Sequence, residues 1–206
     1  QYNPETQILQ DVLSKLNDID CIYFKSYWLN YEESGRVLIR SIKTETNLAK
    51  DLYCSSDYQQ PAPFYIYKKE VLVKNNHYFK EGILHEDALF TPIALASCKK
   101  VLCFGKPVYH YRQRGGSITK TISPQRLRDL MYVISELHKF GVERFEPYER
   151  YKWGNTIART LNGLLSISQN CDDKIAQNEV KHFVNNTSYL LDYLRHSGLN
   201  NAIMVF

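Results

Sequence analysis

The sequence lacks the features that would place it in several large classes of protein. It contains no apolar run long enough to span a bilayer, and it does not open with the basic and apolar segments of a signal peptide. Its five cysteines are scattered and include no Cys-X-X-Cys pair, which argues against a zinc site or a disulfide framework. We therefore expect free thiols in a reducing compartment.

Acidic residues are absent from one long segment. The net charge of +4 is too small to indicate nucleic-acid binding, yet residues 99–128 contain no Asp or Glu. The basic residues of this segment are Lys99, Lys100, Lys106, Arg112, Arg114, Lys120, Arg126 and Arg128. Their positive field suits a phosphate, a diphosphate or an anionic lipid surface, although composition alone favours an ordinary solvated face.

The patterning predicts a mixed α/β portion over residues 1–122 and a helical portion over residues 123–206. The predicted strands are Cys21–Tyr31, Arg36–Arg40, Phe64–Tyr67, Val101–Phe104 and Pro107–Arg112, the last two separated by a turn at Gly105–Lys106. The predicted helices cover residues 4–16, 69–74 and 88–96, and three more follow Ser123. The third of these begins near Asp172, loosens around Asn185 and Asn186, and ends at Gly198. Residues 43–60 show no firm period and are interpreted as a loop with short helical pieces.

His85, Glu86 and Asp87 stand together at the predicted entrance of the apolar helix. Two adjacent carboxylates repel each other, and partial burial would raise the pKa of one of them. A carboxylate in that state can accept a proton from an attacking hydroxyl. The helix dipole also favours acids in a first turn, so spacing alone leaves a purely structural explanation open.

A second group of polar residues follows the last predicted strand. Arg112 and Arg114 are two residues apart on an extended segment, and arginine matches phosphate oxygens in a bidentate manner. The glycine pair after them allows backbone amides to approach an anion, and Ser117 adds a hydroxyl donor. His110 is a candidate metal ligand. An ordinary edge strand with exposed arginines would give the same pattern.

Together these two groups resemble the C-terminal, acceptor-side portion of a family-2 glycosyltransferase with the GT-A fold. The resemblance rests on residues 79–90, which read FKEGILHEDALF, and on residues 107–118, which read PVYHYRQRGGSI. Their order and separation are similar to those of bacterial enzymes that build capsular or surface polysaccharides. The resemblance covers roughly residues 1–120, and the fold it implies is the acceptor-side part of this α/β transferase followed by a helical region.

The resemblance implies an inverting transfer of a sugar from a nucleotide-diphosphate donor to a hydroxyl of a glycan or lipid-linked acceptor. Asp87 would be the catalytic base, with Glu86 as the second choice or as a helper that orients acceptor or metal. His85 would shape the acceptor pocket. The resemblance further implies a cytoplasmic location, with a peripheral position at the inner face of the membrane as one form of it.

The resemblance also assigns roles to the second group. Arg112, Arg114 and Ser117 would offset the charge that develops on the leaving diphosphate. His110 would complete the coordination of a divalent cation, Mn²⁺ or Mg²⁺, in the complete enzyme. The family's nucleotide-binding strands and Asp-X-Asp motif would lie before Gln1, and Asp18-Ile19-Asp20 is a poor substitute because it follows a helix and precedes a strand.

A non-catalytic remnant that binds a glycan, a protein partner or a membrane surface is the competing hypothesis. A sheet without its N-terminal strands would expose an unpaired edge, which predicts self-association. The helical region, with Lys152, Trp153 and Arg159, could contact a membrane, although packing on the core is the commoner use of such residues.

Overall fold

The fold is described from a computed structural model, which covers residues 16–29, 36–38, 45–55, 58–112 and 122–196, together with Gln10 and Ser14. Internal contacts divide the chain into two units. Among the described residues, the first unit contains those up to Asp51, those of Pro61–Tyr78, and residues 94–112. The second unit contains Leu52–Gln60, Phe79–Ile93 and residues 122–196.

The first unit is built on a mixed β-sheet. Its strands are β1 (Cys21–Leu29), β2 (Arg36–Leu38), β3 (Glu45–Leu48), β4 (Tyr65–Tyr67) and β5 (Lys100–Arg112). The order is β2-β1-β5-β3, and β4 and β2 pair with opposite ends of β1. β1 and β5 run parallel, whereas the other pairings are antiparallel. The mixed α/β class predicted from the sequence is thus confirmed.

β5 is a single strand, so the prediction of two strands around a Gly105–Lys106 turn is wrong. Phe24 of β1 pairs with Phe104, but the next residue, Lys25, pairs with Pro107. The chain absorbs Gly105 and Lys106 as a bulge that interrupts the register without reversing the strand. Gly105 and Lys106 are typical of a turn, but here they form a bulge, because pairing with the long parallel strand β1 keeps β5 extended.

Alternation along β1 builds the core of this unit. Ile22 and Phe24 are buried on one face with Leu102 and Phe104 of β5, and Ile19 joins them. Tyr23, on the other face, stacks on Tyr65 with ring centroids 4.9 Å apart.

The structure contains helices that the sequence pattern located well and one strand, β3, that it did not predict. The α-helices are α1 (Ala49–Ser55), α2 (Lys69–Lys74), α3 (Glu86–Ala96), α4 (Pro124–Arg144), α5 (Pro147–Gln169), α6 (Lys174–Asn186) and α7 (Ser188–His196). Short 3-10 turns cover Leu16–Asp18 and Ala62–Phe64. Residues 43–60, predicted as a loop with short helical pieces, contain the helix α1 and also the strand β3, which was not predicted. The third C-terminal helix divides at Thr187 into α6 and α7, next to Asn185 and Asn186, where its pattern was predicted to loosen. The helix predicted over residues 4–16 falls largely outside the described residues.

Capping signals explain where two of the long helices begin. The Ser123 hydroxyl accepts a hydrogen bond from the Arg126 amide, and Pro124 occupies the first turn of α4. The Asp173 carboxylate accepts from the amides of Ile175 and Ala176 at the start of α6. Both caps satisfy donors that the first turn of a helix leaves without backbone partners.

The helices of the second unit pack around a buried tryptophan. Trp153 of α5 is fully buried, and its indole N–H donates to the Leu137 carbonyl of α4 at 2.8 Å. Arg159 donates twice to the Tyr58 carbonyl, at 2.7 and 2.8 Å, and lies over the Tyr58 ring. Trp153 and Arg159 therefore serve internal packing. In the part of the chain that the structure describes, no helix combines the length and apolarity needed to cross a membrane.

The two units alternate along the chain. Specific hydrogen bonds tie earlier segments to the helical unit. The Tyr58 hydroxyl bonds to Thr156 at 3.2 Å, and the Leu84 amide donates to Asp129 at 2.9 Å. Residues 52–60 and 79–93 thus belong to the second unit through contacts that sequence order does not indicate.

Candidate functional site

The loop before α3 brings His85, Glu86 and Asp87 to the start of that helix. Gly82 has φ of 78° and His85 has φ of 64°, so the loop uses two left-handed backbone positions to turn into the helix. Glycine adopts this conformation freely, whereas histidine does so less often. The predicted helix entrance at these residues is confirmed.

His85 is half-buried and held by Arg126 of α4. The Arg126 Nε–H donates to His85 Nε2 at 2.8 Å, and the Arg126 side chain is itself buried. Burial lowers the pKa of His85, the Arg126 charge lowers it further, and the carboxylates of Glu86 and Asp129 act in the opposite direction. The imidazole is therefore a neutral group in this site at physiological pH.

Asp87 is the group whose acidity the fold changes most clearly in this loop. Burial of its carboxyl, and then the neighbouring Glu86 carboxylate, raise the pKa of Asp87 from 3.8 to about 6. Hydrogen bonds from the Ala88 amide and from the Asp87 amide itself act against this rise. Glu86 is exposed, so the two adjacent acids occupy different environments. Two carboxyl groups in different environments can take different acid–base roles, because the environments separate their pKa values.

Asp129 of α4 supports the loop through a hydrogen bond, a role that was not predicted from the sequence. Its carboxylate accepts from the Leu84 amide at 2.9 Å and from the Gln125 side chain at 2.7 Å, and only 5% of its surface is exposed. Asp129 lies four residues before Val133 on the buried face of α4, and an acid at that spacing would have been a signal for a buried, hydrogen-bonded carboxylate.

We expect Asp129→Ala to lower the free energy of unfolding by about 1–3 kcal/mol, because it leaves the Leu84 amide without its acceptor. Exchange of the Leu84 amide hydrogen should accelerate at the same time. The matched control is Gln125→Ala, which removes one donor to Asp129 and leaves the Leu84 bond in place. Equal Leu84 exchange rates in wild type and Asp129→Ala would show that this bond does not hold the loop.

The structure gives only the backbone positions of part of the second predicted group. Arg112 is the last residue of β5 and pairs with Leu29, and His110 pairs with Tyr27. Arg114 and Ser117 lie outside the described residues. The predicted diphosphate and metal roles of these four residues stay predictions. Among the described residues there is no group of three or more His, Cys, Asp or Glu side chains arranged to hold a metal ion.

Charged residues of the basic segment and of Asp18-Ile19-Asp20 have structural partners. Arg126 binds His85, and Arg128 forms an ion pair with Glu179 at 2.8 Å. Asp20, from the Asp-X-Asp lookalike, accepts from the amides of Lys99 and Lys100 at 2.6 and 3.2 Å. The basic segment is thus less available to an anion than its composition suggests.

Comparison with known proteins gives no family for this chain. No protein-family description matches the sequence, and no curated protein matches it.

Proposed function

We propose that this chain is the acceptor-side part of an inverting glycosyltransferase of the family-2, GT-A type, in which Asp87 is the catalytic base. The observation that carries the proposal is the state of Asp87 at the start of α3, where burial and Glu86 raise its pKa to about 6. The residues around it, FKEGILHEDALF over 79–90, are those on which the family resemblance rests.

A pKa of about 6 suits a base that works near neutral pH. At pH 7 such a carboxylate is mostly ionised, so it is ready to accept a proton. It is also more basic than an ordinary aspartate, so it takes a proton from a hydroxyl more readily in the transition state. Glu86, which is exposed, contributes by raising the pKa of Asp87.

In the proposed reaction Asp87 takes the proton of an acceptor hydroxyl while the hydroxyl oxygen attacks the anomeric carbon of the donor sugar. The bond from that carbon to the diphosphate oxygen breaks, and the diphosphate leaves with the electron pair. Arg112, Arg114 and Ser117 would offset the charge on the leaving group. A divalent cation would supply further charge stabilisation, but His110 by itself offers one nitrogen ligand, so no step here depends on a metal.

The pH dependence of transfer tests this proposal. The gene product, purified from its source cells, is assayed with labelled nucleotide sugars and a glycan extract of the same cells. We expect kcat/KM to fall as pH falls through about 6, because Asp87 becomes protonated there. Glu86→Gln should move this fall to lower pH, because it removes the carboxylate that raises the pKa of Asp87.

A rate that is constant between about pH 5 and pH 7 would contradict the assignment of Asp87. Binding of the glycan extract without any transfer would favour the competing hypothesis of a non-catalytic glycan-binding protein.

A further inference from the structure

The loop before α3 carries an exposed aromatic side chain that is stacked on a buried one. The Phe79 ring lies against the Phe90 ring of α3, with centroids 4.1 Å apart and planes 22° from parallel. Phe90 is almost fully buried, at 7% exposure, whereas 46% of Phe79 is exposed. Because Phe90 covers one face of the Phe79 ring, the exposed surface of Phe79 lies on the side away from Phe90.

Other contacts of the same loop hold it against α4. The Lys80 ammonium lies 5.9 Å from the centroid of the Tyr132 ring, which is close enough for a cation–π contact. Further along the loop, the Leu84 amide donates to Asp129. The loop is thus tied to α3 through Phe79 and to α4 through the two contacts that follow. A ligand that packs on the Phe79 ring therefore meets a side chain that is already ordered, which lowers the entropic cost of binding.

Helix geometry places this aromatic pair beside Asp87. Glu86 and Asp87 precede Phe90 by four and three residues on α3, and side chains at these spacings are neighbours, with Cβ atoms about 5–6 Å apart. The side chains of a helix also lean towards its N-terminus, so Phe90 covers the turn that begins with the two acids. The Phe79 ring, stacked on Phe90, consequently lies next to the first turn of α3.

A single exposed phenylalanine is common on protein surfaces, so exposure alone indicates no ligand. Phe79 differs because its ring is held by a stack and because the neighbouring turn carries the partly buried carboxyl of Asp87. An apolar surface with a few polar groups beside it is typical of sites that bind small molecules. A pyranose ring matches both parts, since its C–H groups form an apolar face and its hydroxyls form a polar rim.

We propose that Phe79, held in place by Phe90, is the platform on which a pyranose ring of the acceptor glycan stacks, with a hydroxyl of the glycan directed to Asp87. The C–H groups of the sugar carry a small positive charge, and the face of an aromatic ring is negative, so the two surfaces attract each other. The identity of this ligand as an acceptor rests on the proposed function, whereas the stacking of the two rings does not.

The contact is measured by saturation-transfer NMR, in which the aromatic protons of the protein are irradiated and magnetisation passes to ligand protons that touch them. The probe is the glycan extract of the source cells, cut to soluble oligosaccharides. We expect the wild-type chain to transfer magnetisation to C–H protons of the sugar. Phe79→Leu should lose most of this transfer, because leucine is apolar but has no aromatic ring.

Tyr148→Leu is the matched control, because Tyr148 is another exposed aromatic residue, at 69% exposure, and it lies at the start of α5 beside Lys152. This variant should keep the wild-type magnetisation transfer. Transfer that is equal in wild type and Phe79→Leu overturns the platform. So does a wild-type chain that passes no magnetisation to the oligosaccharides, and this result needs no variant to fold.

Kinetics separate a stacking role from a merely structural one. In the transfer assay we expect Phe79→Leu to raise the acceptor KM about three- to tenfold, with little change in kcat or in the donor KM. Phe79→Tyr, which keeps the ring, should retain an acceptor KM close to that of wild type. A fall in kcat together with a rise in both KM values would show that Phe79 only supports the fold of the site, and it would overturn the platform.

A protein partner is the other occupant that an exposed aromatic ring suits, because aromatic residues are enriched at protein interfaces. Sedimentation of wild type and Phe79→Leu tests this occupant. A wild-type oligomer that dissociates in Phe79→Leu would assign the ring to an interface between copies of the chain and overturn the glycan platform. We expect the two proteins to sediment alike.

Failure of the platform and failure of the proposed function give different results. Asp87→Asn should keep the magnetisation transfer to the oligosaccharides and lose sugar transfer. Loss of sugar transfer in Asp87→Asn, with unchanged magnetisation transfer in Phe79→Leu, would overturn the platform and leave the base in place. Magnetisation transfer that depends on Phe79 in a wild-type chain without any sugar transfer would overturn the proposed function and leave Phe79 as part of a glycan-binding site.

Discussion

Replacing Asp87 with Asn is expected to lower sugar transfer by about 10²- to 10⁴-fold and to make the protein more stable at neutral pH. The activity falls because an amide cannot accept the hydroxyl proton. The stability rises because burial and the Glu86 carboxylate disfavour the ionised form of Asp87, whose pKa is raised from 3.8 to about 6. Ionised Asp87 therefore costs at most about 3 kcal/mol, and Asn at this position does not carry that cost.

The sign of the pH dependence follows from this shift. Between the unfolded pKa of 3.8 and the folded pKa of about 6, the folded state binds the Asp87 proton more tightly than the unfolded state does. The contribution of Asp87 to stability thus falls as pH rises through that window. Urea unfolding across pH should show wild type and Asp87→Asn closest together at about pH 4, with the variant more stable at about pH 7.

Glu86→Gln is the matched control, because it removes an adjacent but exposed carboxylate. It should retain transfer, with the acid limb of the rate profile moved to lower pH. An Asp87→Asn variant that transfers sugar at the wild-type rate would remove Asp87 from the mechanism. Equal stability of the variant and wild type at neutral pH would show that the fold does not perturb this carboxyl.

Gly141→Ala is expected to lower the free energy of unfolding by about 1–3 kcal/mol. A Cβ atom at this position of α4 would lie 2.5 Å from Cδ1 of Trp153. The indole cannot move away easily, because its N–H bonds to the Leu137 carbonyl and its ring contacts Phe140 and Phe145. This overpacking exceeds the gain of under about 1 kcal/mol that alanine brings to a helix interior.

Gly163→Ala on α5 provides the comparison, because among the described residues a Cβ there meets no atom within 4 Å apart from the backbone of its own helix. We expect this variant to be more stable than wild type by about 0.5–1 kcal/mol. Thermal or urea unfolding of both variants measures the contrast. If both variants were stabilised to the same extent, α4 and α5 could shift near Trp153 to make room for a Cβ. The fold would then not require glycine at residue 141.

The amino-acid sequence by itself determined the features that depend on neighbouring residues. Ser123 with Pro124 predicts the start of α4 because a cap acts within a few residues of itself. The aromatic run Cys21–Tyr31 predicts the strand β1, which the structure gives as Cys21–Leu29, and the loop before Asp87 predicts the entrance of α3. These signals are local, so a single sequence is enough to read them.

The tertiary structure decided the features that depend on distant residues. Gly105–Lys106 became a bulge rather than a turn because β1 pairs along the whole of β5. The strand Glu45–Leu48 has no strong period and forms by pairing with β5.

The chemistry of the candidate site was decided in the same way. The sequence placed Glu86 and Asp87 side by side, but only folding buries one carboxyl and exposes the other. The partners of the loop, Arg126 and Asp129, are 41 and 45 residues away from the groups they bind. Local spacing carries no information about such contacts, because burial and charge at a site depend on which distant side chains the fold brings together.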